Sequence, residues 1–373
     1  MTMKKISKRE FLKSSAIYTG GLLCTAGMAT GAGKPNKWSR EAMFYTPTPR
    51  GVKCGICPNE CTLRPGETGD CRNRINQDGK LYTMAFGNPC AVHIDPIEKK
   101  PLLHFHPQSL VFSIATAGCN FACLNCQNWE ISQTGPDKTK NYDLMPEKVV
   151  ESSKSNKCPS IAYTYSEPVS FYEYVYETSR LARQEKINNV MVSNGYINEE
   201  PLKKLVPWLD AANIDLKSFS DDIYLRLSAG KLQPVLNTLK TLKQNGVWLE
   251  ITNLIVPSWT DDLDMIARMC DWLMENGFAD TPLHFSRFHP AYKLTQLPET
   301  PVSTLLRARD IAVKAGCQFV YVGNVPGKGF ENTRCPYCGE NLIVRRGFTI
   351  LENNLVNGTC SNCKKVISGV WDK

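Results

Sequence analysis

Cys119, Cys123 and Cys126 stand in the string Thr116-Ala117-Gly118-Cys119-Asn120-Phe121-Ala122-Cys123-Leu124-Asn125-Cys126-Gln127-Asn128-Trp129. Thiolates separated by three and two residues can wrap one loop around a cubane cluster, leaving one of its four irons without a protein ligand. An open iron is a binding site. The alternative is a three-cysteine zinc site completed by a distant ligand. A second group pairs Cys335-x2-Cys338 with Cys360-x2-Cys363 across 21 residues, with Gly339 and Lys364 directly following. Two such knuckles on a strand hairpin give tetrahedral sulfur coordination, as in a zinc ribbon or a rubredoxin-like iron site, since four thiolates accept either metal. The third group is Cys54-x2-Cys57-x3-Cys61-x9-Cys71, with Pro58, Gly66 and Gly69 shaping its turns. Its spacing fits either a structural zinc or an auxiliary iron–sulfur cluster. Cys90, Cys158, Cys270 and Cys317 have no local partner, and the last three read as buried core thiols.

The elements that must position the central triplet are short apolar runs alternating with longer amphipathic segments. The runs are Ser109–Ala117, Ser160–Ser166, Asn189–Asn194, Ala211–Leu216, Val247–Val256, Pro282–Phe288 and Gln318–Val322. Between them lie predicted helices at Glu147–Ser155, Val169–Glu185, Glu199–Asp210, Pro234–Asn245, Asp261–Asn276 and Val302–Ala315. Such alternation specifies parallel strands with crossover helices, and six or seven units make a partial (β/α) barrel of the TIM type. Side chains at the C-terminal ends of barrel strands converge over one mouth. Here those ends read Tyr163-Thr164-Tyr165-Ser166-Glu167-Pro168, Ser193-Asn194-Gly195, Asp215-Leu216-Lys217, Asn253 and Arg287-Phe288-His289-Pro290. A carboxylate and an ammonium facing a cluster suit a zwitterionic amino-acid ligand, with Glu167 accepting from its amine and Lys217 pairing its carboxylate. Taken singly, Glu167 or Asp215 could cap the next helix, and His289 could be a satisfied barrel-mouth histidine.

The chain has 373 residues, room for two or three domains at about 150 residues each. With 42% hydrophobic and 21% charged residues it is neither disordered nor a multispanning membrane protein. The formal charge is +8, of which residues 1–32 hold +4, leaving too little elsewhere for a specific nucleic-acid footprint. Four segments are expected: 1–33, a signal; 34–106, a cysteine-tied irregular module; 107–325, the barrel; and 328–373, a separately folding metal domain. Met3-Lys4-Lys5-Ile6-Ser7-Lys8-Arg9-Glu10-Phe11-Leu12-Lys13 precedes a small-residue stretch reaching Ala32. This resembles a twin-arginine export signal, with Lys8-Arg9 where that signal has two arginines. The stretch is too weakly apolar for a transmembrane anchor. Export of a folded protein to an extracytoplasmic space is the expectation, with a cytoplasmic location if the signal is not functional. A basic disordered arm is the alternative.

The triplet loop after the first strand resembles that of the radical S-adenosylmethionine (SAM) superfamily. Ala117-Gly118-Cys119-Asn120-Phe121, followed by Cys126-Gln127-Asn128-Trp129-Glu130-Ile131-Ser132, looks like the AmmeMemoRadiSam branch, relatives of pyruvate formate-lyase activating enzymes. The resemblance runs from about Lys53 to Gly323. It implies a [4Fe–4S] cluster on Cys119, Cys123 and Cys126 and reductive cleavage of SAM to methionine and a 5′-deoxyadenosyl radical that abstracts hydrogen. It further implies that Ser166, Glu167, Asn194, Asp215 and Lys217 bind SAM. Ser166-Glu167-Pro168 occupies the place of the family's Gly-Gly-Glu stretch at the methionyl amine, and Asp215 and Lys217 match an Asp-x-Lys. His289 matches a histidine near the sulfonium or ribose. A flavodoxin- or ferredoxin-like donor would supply the electron. Three functions fit: an activase for a glycyl-radical protein, a radical enzyme modifying a small molecule or another macromolecule, or a non-catalytic iron–sulfur electron carrier. The polar strand ends disfavour the carrier.

Overall fold

The computed structural model describes residues 36–325, 327 and 329–371. The expected export signal lies outside the described residues. At the centre is one sheet whose strands lie side by side in chain order: β1 (Ala91–Pro96), β2 (Leu110–Ala115), β3 (Ser160–Tyr163), β4 (Asn188–Ser193), β5 (Ala211–Asp215), β6 (Trp248–Ile255), β7 (Leu283–Arg287) and β8 (Val320–Gly323). From β2 to β8 every neighbour is parallel, and β1 runs antiparallel along β2. The connecting helices are α1 (Pro146–Ser155), α2 (Tyr172–Gln184), α3 (Glu199–Leu205), α4 (Leu232–Gln244), α5 (Leu263–Glu275) and α6 (Val302–Ala315). This is a partial (β/α) barrel. Parallel strands covered on both faces are buried throughout and mostly apolar, as in β3, where Ser160, Ile161, Ala162 and Tyr163 are all buried. Helix α5 shows how the crossovers close the layer. Met265, Ile266, Met269, Cys270 and Leu273 form one buried face, each large side chain contributing about 2 kcal/mol, and Asp262 caps the start by accepting from the Asp264 N–H at 2.9 Å.

Two helices are shorter than the sequence pattern indicates. Helix α3 stops at Leu205 because Pro207 supplies no amide, and a 3-10 turn, Val206–Trp208, replaces its last turn. Pro168–Phe171 is likewise a 3-10 turn before α2 begins at Tyr172.

The lead-in contains small antiparallel sheets, and its last strand, β1, joins the barrel sheet. It is docked by the Arg74–Glu173 ion pair, 2.7 Å long with 3% and 5% side-chain exposure, and Glu173 also accepts from the Met43 N–H. Removing one partner of a pair this buried strands the other charge.

The C-terminal module, built on Asn341–Arg346 and Thr349–Asn353, does not stand apart as expected. Its core residues Leu342, Ile343, Ile350 and Ile367 pack with Leu103, Phe319 and Tyr321 of the preceding segments. Arg345 donates to the Leu103 carbonyl at 2.7 Å, and His104 bridges the Ser368 carbonyl and the Tyr321 hydroxyl. A fragment starting near Gly327 would lose Leu103, Phe319 and Tyr321, three of the nine buried residues of that core.

Burial lowers the His104 imidazole to about 4, whereas an unfolded histidine titrates near 6.5. Between those values the folded chain binds fewer protons than the unfolded chain, so stability falls as pH drops through this window. At about 1.4 kcal/mol per pH unit the loss approaches about 3 kcal/mol. Urea midpoints at pH 7 and 4.5 should show that decrease, and His104→Gln should flatten it. A midpoint equally pH-dependent in the variant would contradict the assignment.

Candidate active site

The triplet loop leaves the end of β2 and is fastened on every side through its backbone. The Gly118 N–H donates to the Ile131 carbonyl at 2.8 Å, Ala122 to Ser228 at 3.0 Å and Leu124 to Leu227 at 2.9 Å. The last two acceptors end a π-helical turn, Tyr224–Ser228, whose carbonyls the loop therefore satisfies. Asn59 donates to the Asn120 carbonyl at 2.9 Å, and Gln133 to that of Phe121 at 3.2 Å. The sulfurs also receive donors: the Phe121 N–H lies 3.4 Å from Cys119 Sγ, and Asn194 Nδ2 lies 3.8 Å from it. Burial pushes the Cys119 and Cys126 thiols up. They become good ligands only where a cation replaces the proton.

Cys119, Cys123 and Cys126 line one cavity of about 2310 Å³, counting its open mouth. Ser166, Glu167, Asn194, Asp215 and Lys217 line the same cavity. Glu167 is 2% exposed and ties two strand ends together. Its Oε1 accepts from the Ser193 hydroxyl at 2.7 Å and the Val169 N–H at 3.0 Å, and its Oε2 accepts from the Asn194 N–H at 2.8 Å. Burial raises its carboxyl to about 7, against these hydrogen bonds. Lys217 Nζ sits 2.8 Å from Asp215. Although burial opposes its charge, Asp215 and Cys123 hold the ammonium above the usual range. Asn125, in the same wall, has a buried Oδ1 with no partner.

A profile described as the radical SAM superfamily matches residues 113–271. An uncharacterized protein of Methanocaldococcus jannaschii is 47% identical over 331 residues, covering 88% of this chain and 98% of the relative. The pyruvate formate-lyase 1-activating enzyme of Escherichia coli is 24% identical over 218 residues, 55% of this chain and 89% of that enzyme. Among solved structures, SuiB of Streptococcus suis bound to S-adenosylmethionine overlays with a TM-score of 0.46 at 14% identity, covering 61% of this chain and 53% of SuiB. The chain belongs to the radical SAM superfamily. It is related to the pyruvate formate-lyase activating enzymes.

Membership implies a [4Fe–4S] cluster and SAM, and the residues present fit both. The triplet loop brings three thiols, with N–H donors on Cys119 Sγ, and the unpartnered Asn125 Oδ1 to the cavity, and the strand ends add a carboxylate and an ammonium. In this radical SAM barrel two expected positions fall elsewhere. His289 is not among the cavity-lining residues: its side chain is 43% exposed and its ring pairs with Glu299 at 2.7 Å. The reason is strand phase. On β7 the inward residues are His284 and Ser286, and the chain leaves the sheet after Arg287, so His289 turns out to the Glu299 loop. On β6, Thr252 and Leu254 line the cavity, whereas Asn253 donates to the Leu216 carbonyl at 2.7 Å. Counting alternate residues back from Val256 and Phe288, where the two apolar runs end, is the signal that would have found Thr252 and Ser286.

The C-terminal quartet brings four sulfurs within 4.8 Å of one another, with Cys335 and Cys363 Sγ 3.6 Å apart and Cys338 and Cys360 Sγ 3.7 Å apart. Tetrahedral zinc at a Zn–S distance of about 2.3 Å needs sulfurs about 3.8 Å apart. None of these cysteines lines the barrel cavity. The group fits one structural metal ion in a zinc-ribbon-like module. Chelation should remove amide-exchange protection from residues 333–367 first and lower the melting temperature by several degrees, because a folded module loses the ion that holds its two knuckles. Unchanged protection in chelator-treated, metal-free protein would contradict a structural ion.

Cys54, Cys57, Cys61 and Cys71 line a smaller, separate cavity. Burial raises the Cys61 thiol to about 12, and the Cys57 and Cys71 thiols are also pushed up. Cys158, Cys270 and Cys317 are buried core thiols, as expected.

Proposed function

We propose that the chain reductively cleaves SAM and uses the resulting radical to abstract hydrogen from a polypeptide substrate, as an activase does. The supporting observation is the single cavity that brings the cysteine triplet, Glu167 and Lys217 together beneath a wide mouth. Cys119, Cys123 and Cys126 would hold a [4Fe–4S] cluster, which when bound would supply the electron for reductive cleavage of the carbon–sulfur bond of SAM. Glu167 accepts from the methionyl amine, and Lys217 pairs the methionyl carboxylate. Ser166, whose hydroxyl donates to the Thr116 carbonyl at 2.7 Å, and Asn194 hold the two strand ends in place around the ligand.

Glu331, Gly347 and Phe348 of the C-terminal module complete the cavity wall, and Phe348 is 53% exposed. An apolar ring beside so large an opening suits a polypeptide loop. The test supplies the reduced, SAM-loaded chain with deuterium-labelled cellular protein and, separately, the labelled small-molecule fraction. Label should enter 5′-deoxyadenosine from the protein fraction. Label arriving from the small molecules alone would contradict a polypeptide substrate. A ferredoxin- or flavodoxin-like protein is the proposed electron donor.

Export in the folded state is proposed on Lys8-Arg9 and the weakly apolar stretch behind it. Fractionation should find wild type outside the cytoplasm and Arg9→Ala inside. A cytoplasmic location for both would contradict it.

A further inference from the structure

The N-terminal cysteines lie outside the larger cavity, and their geometry differs from that of the C-terminal quartet. Among the described residues, that quartet is the one group of three or more cysteine, histidine or carboxylate ligands gathered within 4.8 Å. No three of Cys54, Cys57, Cys61 and Cys71 come together so closely, yet all four line one pocket of about 370 Å³, counting the open space at its mouth. A single tetrahedral ion draws sulfurs to about 3.8 Å. A cubane spreads them farther, because each thiolate binds a different corner. Cys119, Cys123 and Cys126 likewise fall outside the 4.8 Å limit. Both sets therefore differ in spacing from the zinc-type site.

A second observation points to an anionic occupant. Arg74 lines this cavity, is 2% exposed, and reaches Glu173 through Nη2, but its buried Nη1 has no partner. A cluster with four thiolate ligands carries net negative charge and accepts N–H donors at its sulfurs, which would satisfy that group.

The site also adjoins the triplet. Asn120 lines the N-terminal cavity, while its neighbours Cys119 and Phe121 line the larger one. Gly118 has φ of +96°, and a Cβ there would lie 2.4 Å from the Cys71 carbonyl oxygen, so the two cysteine loops meet backbone to backbone.

We propose that Cys54, Cys57, Cys61 and Cys71 hold a second [4Fe–4S] cluster, beside the triplet site and outside the cavity that takes SAM. The test uses the full chain reconstituted anaerobically with iron and sulfide. Wild type should carry about eight acid-labile sulfides, and the triple variant Cys119→Ala/Cys123→Ala/Cys126→Ala about four. The triple variant's reduced EPR signal should not respond to SAM. The complementary variant, with Cys54, Cys57, Cys61 and Cys71 all changed to Ala, should keep about four sulfides and a SAM-responsive signal. The C-terminal quartet cannot confound the count, since a mononuclear site carries no sulfide. About four sulfides in wild type, or zinc without sulfide in the triple variant, would overturn the proposal. The wild-type count decides even where the quadruple variant fails to fold.

Discussion

Changing Cys119, Cys123 and Cys126 together to alanine is expected to abolish 5′-deoxyadenosine formation. The three thiols are the described ligands at the cavity wall, and without them no iron is held beside Glu167 and Lys217. The fold should survive, because the loop is fastened mainly by backbone bonds to Ile131, Leu227 and Ser228 that do not involve sulfur. Far-ultraviolet circular dichroism should therefore match wild type while the SAM-responsive EPR signal is lost. A single Cys123→Ala change should be nearly as severe, since a cluster anchored by two thiolates is not retained through purification. Residual 5′-deoxyadenosine in the triple variant would place the chemistry elsewhere.

The second large effect belongs to Glu167. Its carboxylate makes three hydrogen bonds inside the wall and is the group proposed to face the methionyl amine. A hydrogen bond to a charged group is worth roughly 1.5–3 kcal/mol, and the strand ends at Ser193 and Asn194 lose their common acceptor as well. Glu167→Ala should weaken SAM affinity about a hundredfold, at 1.4 kcal/mol per decade. Lys217→Ala should have a smaller effect, about tenfold, because Asp215 already compensates part of its charge at 2.8 Å. Both variants should keep wild-type iron and sulfide. Measuring affinity and cluster content together separates loss of binding from loss of the cluster. Wild-type affinity in both would mean that the ligand sits elsewhere in the cavity. His289→Ala, which the sequence pattern placed at the ligand, should now leave affinity unchanged, since its ring pairs with Glu299.

The barrel was legible because its seven parallel strands are near-continuous apolar runs set between amphipathic helices, and each run falls within a few residues of a strand. Strand β1 was not. Ala91–Pro96 is an edge strand with His93 and Ile94 exposed, so its pattern lacks the apolar continuity of β3, and it follows a stretch rich in turn residues. The triplet, Glu167, Asp215 and Lys217 were legible because strand-end position alone brings them to one mouth. His289 was misplaced by a phase error: it lies beyond the sheet, where alternation no longer dictates direction. The Lys217–Asp215 pair is a side-chain geometry that residue spacing does not reveal. Spacing identified the C-terminal quartet, but not its shared core with Leu103, Phe319 and Tyr321, because those contacts join distant segments.

The most direct test of the central claim is the EPR spectrum of the reduced, iron- and sulfide-replete chain before and after SAM is added. SAM should change the spectrum, because a cluster held by Cys119, Cys123 and Cys126 would leave one iron open to it. A spectrum unchanged by SAM, in a chain with full cluster content, would contradict it.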